Sequence, residues 1–175
     1  MTKALGSTLE AREILNLIVN KAVLILKLKA CSLRLLNPKT KKLELACSCG
    51  LSDSYLNKGS VDMDRSIAST MTGEVIWIED ATRDKRAQYP DEAKKEGIAS
   101  ILSVPMVLKD KTIGTLRLYT SVPRKFNDSQ IEFAQSMAEF GALALENAKL
   151  YDSLKADYQA MMDDVYLFRG YTSGL

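Results

Sequence analysis

The sequence predicts an α+β fold in which helices at the two ends of the chain enclose two antiparallel β-hairpins. Two observations predict it. The spacing of apolar residues changes from a helical period to a period of two and back again, and each stretch of period two is interrupted by a polar turn. The chain has 175 residues, of which 46% are hydrophobic, so it can bury the core of one ordinary domain.

The first predicted helix starts with a capping box, in which Ser7 would be the N-cap and Glu10 would reach back to it. Apolar residues then follow at helical spacing: Ile14, Leu17, Ile18, Ala22 and Ile25. A second apolar flank consists of Leu15, Val19 and Leu26. Because this helix is apolar on two sides, we expect it to contact both its own sheet and a further element such as another helix.

The first hairpin is predicted from residues 30–35 and 43–49, with a turn at 37–41. Placing Leu35 opposite Leu45 would bring the apolar side chains of both strands to one face and their polar neighbours to the other. We therefore expect a two-stranded antiparallel unit that is buried on one side.

The cysteines of this hairpin suggest a redox hypothesis. In the same register Leu33 faces Cys47 and Cys31 faces Cys49, and directly opposite residues lie about 4.5–5.5 Å apart at Cα, which is within disulfide reach. Oxidation of Cys31 with Cys49 would stiffen the sheet. We favour the simpler interpretation that these cysteines are small buried hydrophobes kept reduced in the cytosol.

The middle of the chain is less regular. Residues 66–72 fit a short helix closed by a glycine, and residues 75–78 fit a short strand buried on both faces. Residues 80–89 are charged and irregular. Pro90 suits the first position of a helix that ends at Gly97.

The second hairpin is predicted from residues 100–108 and 112–120, across a turn at 109–111. Its first strand contains Pro105, which has no backbone N–H to give to a neighbouring strand. We therefore place Pro105 at an edge of the sheet or at a bulge.

The best local signal in the sequence opens the last helix. Asn127 can cap it, Gln130 can reach back from the third position, and Phe126 and Ile131 occupy the two positions of a hydrophobic staple. We expect the helix that begins here to continue to about Phe168.

Two stripes run along this last helix. One has mostly small side chains suited to close packing on a sheet: Ile131, Ala134, Ala138, Gly141, Leu145 and Ala148. The other is a 4-3 repeat that runs beyond the reach of a compact domain: Phe133, Met137, Phe140, Ala144, Asn147, Tyr151, Leu154, Tyr158, Met161, Val165 and Phe168. Such a repeat predicts the coiled-coil seam of a homodimer, with Asn147 fixing its register. The alternative is that the last turns fold back onto the domain.

Charge and residue usage exclude several classes of function. The chain has a net charge of +2 and contains no histidine, which is the commonest metal ligand and general base, so we expect no metal site and no zinc or histidine-dependent enzyme. The lysines near residues 39–42 fit a solvated turn and form no basic stripe for nucleic acid. No targeting signal is found, and no apolar stretch approaches the roughly 20 residues of a membrane span. We expect a cytoplasmic protein that binds neither nucleic acid nor membrane.

The order of these elements, and the residues at their junctions, resemble the GAF domain family over residues 8–152. The most telling stretches are residues 100–106 (SILSVPM) and 113–119 (IGTLRLY), which are similar to the family's serine-x-leucine-x-valine-proline-leucine and isoleucine-glycine-valine-leucine strands. Shorter similarities are found at residues 73–80, 126–128 and 145–151. The order and spacing of these stretches together carry the resemblance.

The resemblance implies an antiparallel sheet of five or six strands with helices on both faces, as in GAF and PAS domains. The first and last helices would pack on one face, and a ligand pocket would lie on the other, under the irregular middle. Residues 1–152 would form the sensor domain, and residues 153–175 a coiled-coil-like helical extension and tail. Carried over to this sequence, the pocket lining would be Trp77, Ile78, Asp80, Ala81, Asp84, Tyr89, Ile98, Ser100, Leu102, Leu116 and Leu118.

Within this lining, the strand hydrophobes are expected to be mostly core. Asp80, Asp84 and Tyr89 are better candidates for ligand contacts, because polar groups on a loop over an apolar cavity commonly set specificity. For Asp80 the alternative is a cap on its own loop. The family's cyclic-nucleotide binders carry an asparagine-lysine-x-phenylalanine motif that is missing here. Its bilin binders and methionine sulfoxide reductases need cysteines later than Cys49, and this sequence has none.

We therefore expect a regulatory module that is not an enzyme and needs no cofactor. It would bind an unknown small molecule and signal through a dimeric C-terminal helix. The module would act either on a separate signalling partner or as a fragment of a longer chain. The alternative is a dimerisation or protein-interaction module whose pocket is filled by its own side chains. A cysteine-based redox sensor or thiol-dependent reductase ranks third, because reactive cysteines favour electropositive helix starts over strands.

Overall fold

The computed structural model describes the backbone of residues 4–57 and 69–172 and the side chains of residues 9–57 and 69–163. In chain order its elements are α1 (Ala4–Leu26), β1 (Ala30–Leu36), β2 (Leu43–Cys49), α2 (Asp53–Leu56), β3 (Ile76–Ile78), α3 (Pro90–Glu96), β4 (Ser100–Leu108), β5 (Lys111–Thr120) and α4 (Asp128–Thr172). The strands form one antiparallel sheet in the order β2-β1-β5-β4-β3. The predicted α+β fold is confirmed, with five strands in the described part of the chain.

Helices cover both faces of this sheet. Helices α1 and α4 lie together on one face, where they form the larger core with the strand side chains that point towards them. Fully buried members of this core are Val19, Cys31, Leu33, Leu102, Val104, Met106, Leu116, Leu118 and Ala138. On the opposite face, Tyr55 of α2 and Ala93 of α3 join a smaller core with Ile78, Ile98 and Ile101.

The predicted start of α1 is wrong, whereas its predicted contact with both the sheet and another helix is confirmed. The helix begins at Ala4, so Ser7 lies inside it and is not the N-cap. Of the predicted main stripe, Leu17 and Ile25 are 55% and 54% exposed, whereas the predicted second flank is buried: Leu15, Val19 and Leu26. Both apolar sides of the helix are used in part, because α1 contacts the sheet and α4.

The register of the first hairpin is only partly as predicted. At one end Cys31 lies opposite Cys49, as expected. Further along, a bulge shifts the register by one residue, so Leu45 lies opposite Arg34 and not opposite Leu35. Leu45 is 38% exposed as a result. The expectation of one buried face is also wrong for β1. The first five of its seven residues point alternately to the two faces, and all five are buried.

The described part of the irregular middle has the predicted helical residues, glycines and proline where they were expected. Residues 69–71 form a helical turn, while 66–68 lie outside the described residues. Gly73 follows the turn with a φ of 94°. Pro90 is the first residue of α3, and Gly97 closes that helix in the left-handed conformation.

Strand β3 covers only part of β4. Its three residues pair with residues 101–103 of β4, and only Ile78 is fully buried, so the prediction of burial on both faces is wrong. Pro105 lies opposite Thr115 of β5 but beyond the end of β3. Because no described strand pairs with that side of Pro105, the predicted edge position is confirmed.

Helix α4 begins as predicted. The Asn127 side chain accepts a hydrogen bond of 2.9 Å from the backbone N–H of Gln130, whose side chain accepts one of 3.2 Å from the Asn127 N–H. Phe126 is buried beside this capping box. The helix then runs unbroken for 45 residues, which is about 67 Å.

The two stripes of α4 have different surroundings. Ala134, Ala138 and Gly141 are buried against the sheet and α1, as expected for the small-residue stripe. The last turns do not fold back, because Leu154 and Met161 remain 69% and 68% exposed. The side chains of the two remaining repeat positions, Val165 and Phe168, lie outside the described residues. No described helix is both long and apolar enough to cross a bilayer.

Candidate functional site

The sheet face opposite α1 and α4 carries buried polar side chains. Successive residues of a strand point to opposite faces, so the residues that alternate with the core members of β1, β4 and β5 lie here. We call this set the polar face: Ser32, Arg34, Ser103, Thr115, Arg117 and Tyr119. None of the six is more than 7% exposed. Residues as deeply buried as these are usually apolar.

The polar face is ordered by the register of the strands. Ser32 of β1, Arg117 of β5 and Ser103 of β4 lie side by side in one row. Arg34 lies opposite Thr115 in the next row, so the two arginines are diagonal neighbours on adjacent strands. Diagonal neighbours are about 7–8 Å apart, within reach of long side chains.

Burial perturbs the guanidinium of Arg34. Its pKa is lowered mainly by burial, and the positive charge of Arg117 lowers it further, whereas Tyr119, Tyr55 and Tyr89 act to raise it. Its Nη1 donates a long hydrogen bond of 3.4 Å to a backbone oxygen at the start of β2. Tyr89, a predicted ligand contact, therefore belongs to the surroundings of this arginine.

Two polar atoms of this face have no hydrogen-bond partner in the described structure: Nε of Arg117 and Oγ of Ser103. They belong to neighbouring residues of one row. Leaving such a buried group unpaired costs about 1–3 kcal/mol, and native proteins seldom do so without a bound water, ion or ligand. The pair is therefore the candidate position for a further bound group.

Aromatic residues border the polar face. The ring of Tyr55 stands edge-to-face with that of Tyr119, with centroids 6.1 Å apart, and burial is the main cause that raises the pKa of Tyr55. The hydroxyls of Tyr119 and Ser32 are hydrogen-bonded at 3.0 Å. Helix α2, which carries Tyr55, is fixed to α3 because Glu96 accepts hydrogen bonds from the N–H and hydroxyl of Ser52.

Four predicted lining residues lie on the wrong face of the sheet. Leu102, Leu116 and Leu118 are fully buried in the core beneath α1 and α4, and Trp77 packs against the same core from β3. Their assignment to a pocket on the opposite face is therefore wrong. Strand side chains alternate, and it is the sequence neighbours of the three leucines that point to the polar face.

Other predicted lining residues have structural surroundings. Ile78, Ala81 and Ile98 belong to the smaller core, on the same side of the sheet as the polar face. Ser100 donates a hydrogen bond of 2.6 Å to a backbone oxygen that follows β3, and it accepts one of 3.0 Å from the N–H of Arg124. Ser100 thus connects the sheet to the segment before α4.

The two acidic candidates are bound within their own loop. Oδ1 of Asp80 accepts hydrogen bonds from the N–H and hydroxyl of Thr82, at 2.9 and 2.6 Å, and these bonds lower the pKa of the carboxyl. Asp80 therefore caps the loop, which is the alternative that the sequence left open. The carboxylate of Asp84 is held by the guanidinium of Arg86, with one N···O distance of 2.6 Å.

The three cysteines are free thiols in this structure. Burial, with smaller effects of the other two cysteines, raises the pKa of Cys31 well above its ordinary value. Burial also raises the pKa of Cys47 to about 11. Such thiols carry little of the reactive thiolate at neutral pH. These surroundings favour the interpretation of Cys31 and Cys49 as packing residues over a redox pair.

The sequence analysis missed Arg34 and Arg117. Each stands in a strand between two leucines, and each of these strands has a neighbour on both sides in the sheet. An arginine in an inner strand that is covered on both faces has to be buried. This signal becomes readable only when the order of the strands is known.

Comparisons with known proteins agree with this fold. A sequence model of the GAF domain family matches residues 8–146. The chain is similar in structure to the blue-light absorbing form of the PixJ GAF domain of Thermosynechococcus elongatus, with a TM-score of 0.73 and 16% identity over 89% of this chain and 96% of that one. It is also similar to the GAF domain of an Acinetobacter phosphoenolpyruvate-protein phosphotransferase, with a TM-score of 0.69 and 22% identity over 81% and 85% of the two chains.

A third similar structure is the GAF domain/HD domain protein of Geobacter sulfurreducens, with a TM-score of 0.71 and 17% identity over 85% of this chain and 99% of that one. At these identities the structures support the fold alone. No curated protein matches the sequence. The family match runs from α1 into α4, over nearly the same residues as the resemblance read from the sequence. The chain therefore belongs to the GAF domain family, which is known for sensing and signal transduction.

Proposed function

We propose that this GAF domain is a regulatory sensor, in which a small molecule binds at the polar face and changes the arrangement of a dimer formed through α1 and α4. The observation that carries the proposal is the polar face itself. It has two buried arginines on inner strands, and a guanidinium nitrogen and a serine oxygen there have no partner among the described residues. A sheet that served only as a scaffold would be at least as stable with apolar residues there.

The second half of α4 supports the dimer. Beyond residue 150 the described apolar side chains of its 4-3 repeat are all more than half exposed: Tyr151, Leu154, Tyr158 and Met161. Single exposed hydrophobes are ordinary, but a continuous stripe marks an interaction surface. Because the repeat suits knobs-into-holes packing against an identical helix, we assign this stripe to a second copy of the chain.

A groove between α1 and α4 extends this surface onto the domain. It has a volume of about 320 Å³ and is lined mainly by apolar side chains, among them Leu17, Phe133, Met137 and Phe140. Leu17 and Phe140 are each more than half exposed. Three of these four residues belong to the 4-3 repeat, so a partner that covers the exposed stripe would also cover the groove, and α1 would join the interface.

Arg124 connects the sheet to the end of α1 and to the segment that leads into α4. Its backbone N–H donates to Ser100 of β4 at 3.0 Å, and its backbone oxygen accepts a 3.0 Å hydrogen bond from the indole of Trp77 in β3. Its guanidinium donates to the backbone oxygen of Leu26, the last residue of α1, at 2.7 Å, and lies 5.1 Å from the ring centroid of Phe126. A ligand that favours one position of β3 and β4 would thereby favour one arrangement of the helices.

A thermal-shift screen of the full chain against nucleotides, amino acids and small carboxylates tests the sensor. A ligand present at 100 times its dissociation constant adds about 2.7 kcal/mol to the folded state, which is about 5–10 °C in a protein of this size. We expect at least one compound to do this and to change the dimer's dissociation constant. A flat screen beside an intact dimer would refute the sensor and favour the dimerisation module.

A charge placed in the seam tests the dimer. Leu154→Lys puts a lysine on the exposed stripe of each copy, whereas Gln159→Lys adds the same charge to an exposed position outside it. Losing the burial of two leucines, one in each copy, at about 1.5–3 kcal/mol each, raises a dissociation constant about 150-fold or more. We expect this increase for Leu154→Lys alone in analytical ultracentrifugation. A wild-type chain that stays monomeric at micromolar concentration would refute the dimer.

A further inference from the structure

The polar face concentrates positive charge, and no carboxylate among the described residues compensates it. Arg34 and Arg117 are diagonal neighbours, and the charge of Arg117 lowers the pKa of Arg34. No ion pair in the described part of the chain includes either arginine. Glu96, at the end of α3, is already held by Ser52 and by Lys29, whose Nζ lies 3.9 Å away.

Two buried like charges are unfavourable unless a group of opposite charge lies beside them. Arginine does not relieve this cost by losing its proton, because its pKa remains far above neutral even in a protein interior. The alternative would be to compensate the two charges with acidic side chains, and none of the described ones does so. Among the described residues the negative charge is missing, and a bound anion would supply it.

The donors that remain at this site are those that bind oxyanions. Nε of Arg117 and the hydroxyl of Ser103 belong to residues that lie opposite each other, and neither has a partner in the described part of the chain. Arg34 has five N–H donors, of which one makes the long hydrogen bond to β2. The hydroxyls of Ser32 and Tyr119 share one hydrogen bond, so one of their two protons is still available. A guanidinium fork binds a planar carboxylate or a phosphate through two parallel bonds.

We propose that the row Ser32, Arg117 and Ser103, together with Arg34, binds the oxyanion of a small acidic ligand, either a carboxylate or a phosphate. This inference rests on the proposed sensor function and names the chemical class of its ligand. A neutral molecule of the same shape would leave the buried donors and charges unpaired, so the site rejects it. Tyr55, edge-to-face with Tyr119 beside the row, offers an apolar wall to the rest of the ligand.

The substitution Arg117→Met tests the inference before any ligand is known. Methionine keeps much of the length and removes the charge, so relief of an uncompensated buried charge should leave the melting temperature of the free protein unchanged or raise it. The matched control is Arg86→Met, which removes an arginine that has its own carboxylate at 2.6 Å. If Arg117→Met melts more than about 5 °C below the control, then Arg117 is a structural residue and the inference is overturned.

Isothermal titration of the full chain then tests the ligand class. The panel consists of inorganic phosphate, phosphomonoesters, and mono- and dicarboxylates of two to six carbons, each acid beside its neutral amide. We expect an acid to bind and its amide to bind at least 10-fold more weakly. For Arg117→Met we expect the acid's dissociation constant to rise about 10- to 100-fold, the value of one hydrogen bond to a charged group, and for Arg86→Met no change.

The outcomes separate the two proposals. Binding of carboxylates but not phosphates, or the reverse, identifies the oxyanion. Neutral compounds that bind wild type and Arg117→Met equally would overturn the oxyanion inference and leave the sensor standing. Failure of every charged and neutral compound in the titration and in the thermal-shift screen would refute both.

Discussion

Gly114 of β5 lies against the backbone of β1, and this closeness determines what any side chain there would cost. A Cβ at Gly114 would stand 2.3 Å from the backbone oxygen of Arg34 and 3.1 Å from the side chain of Leu35. Ordinary contacts begin at 3.4 Å, so the two strands would have to separate by about 1 Å in a close-packed sheet. The contacting atom is a backbone oxygen, which cannot move aside by a change of rotamer.

We therefore expect Gly114→Ala to lower the free energy of unfolding by about 1–3 kcal/mol, the usual cost of overpacking. In a chain of 175 residues this is about 2–12 °C in melting temperature, measured by circular dichroism. Gly141→Ala is the matched control in α4. There the new Cβ would meet only side-chain ends, 3.1 Å from Met106 and 3.3 Å from Ile18, and a gain of about 1 kcal/mol in helix propensity offsets the crowding. A Gly114→Ala protein as stable as Gly141→Ala would refute the close approach of β1 and β5.

Two other perturbations address the core and the thiols. Leu116→Ala should lower the free energy of unfolding by about 2–5 kcal/mol in denaturant titration without weakening ligand binding, because Leu116 is fully buried beneath α1 and α4. A loss of ligand affinity at unchanged stability would instead indicate that Leu116 lines the pocket. Stability should also fall as pH rises from 9 towards 11, because the pKa of Cys47 is raised from 9.0 in the unfolded chain to about 11 in the folded one. The contribution of the neutral Cys47 thiol to the free energy of unfolding is complete below pH 9 and is lost as the thiol ionises. Cys47→Ala should show a smaller fall, and identical profiles would contradict the buried thiol.

Features with a signal in a few adjacent residues were predictable from the sequence. Asn127 and Gln130 make both hydrogen bonds of the predicted capping box, since the pattern and the bonds lie within four residues. Pro105 lies at an edge that no described strand pairs with, because proline lacks a donor wherever it stands. The long run of α4 was predictable for the same reason, as no local pattern interrupts it.

Features that depend on distant partners were not predictable. Alternation in β5 separates Leu116 from Arg117, but it does not say which of the two faces meets the helices when both faces are buried. The predicted pocket lining therefore included strand residues that point to the helices and omitted those that point to the polar face. The bulge beside Arg34 depends on how β2 aligns with β1, and hydrophobic pattern alone placed Leu45 opposite Leu35. The predicted start of α1 was wrong because Ser7 has the sequence pattern of an N-cap but lies inside the helix.

Pro105 also affects what the sheet can pair with. Beyond Ser103, the side of β4 that faces away from β5 has no partner strand among the described residues. An open strand edge is a template for edge-to-edge aggregation. Proline offers no N–H to an incoming strand, and the register shift after Met106 adds a local twist. At the other edge, β2 is interrupted by its own bulge. Neither border of the sheet therefore offers a long regular ladder to a second molecule, and growth into strand-paired polymers is discouraged while the helical surfaces remain open for contact.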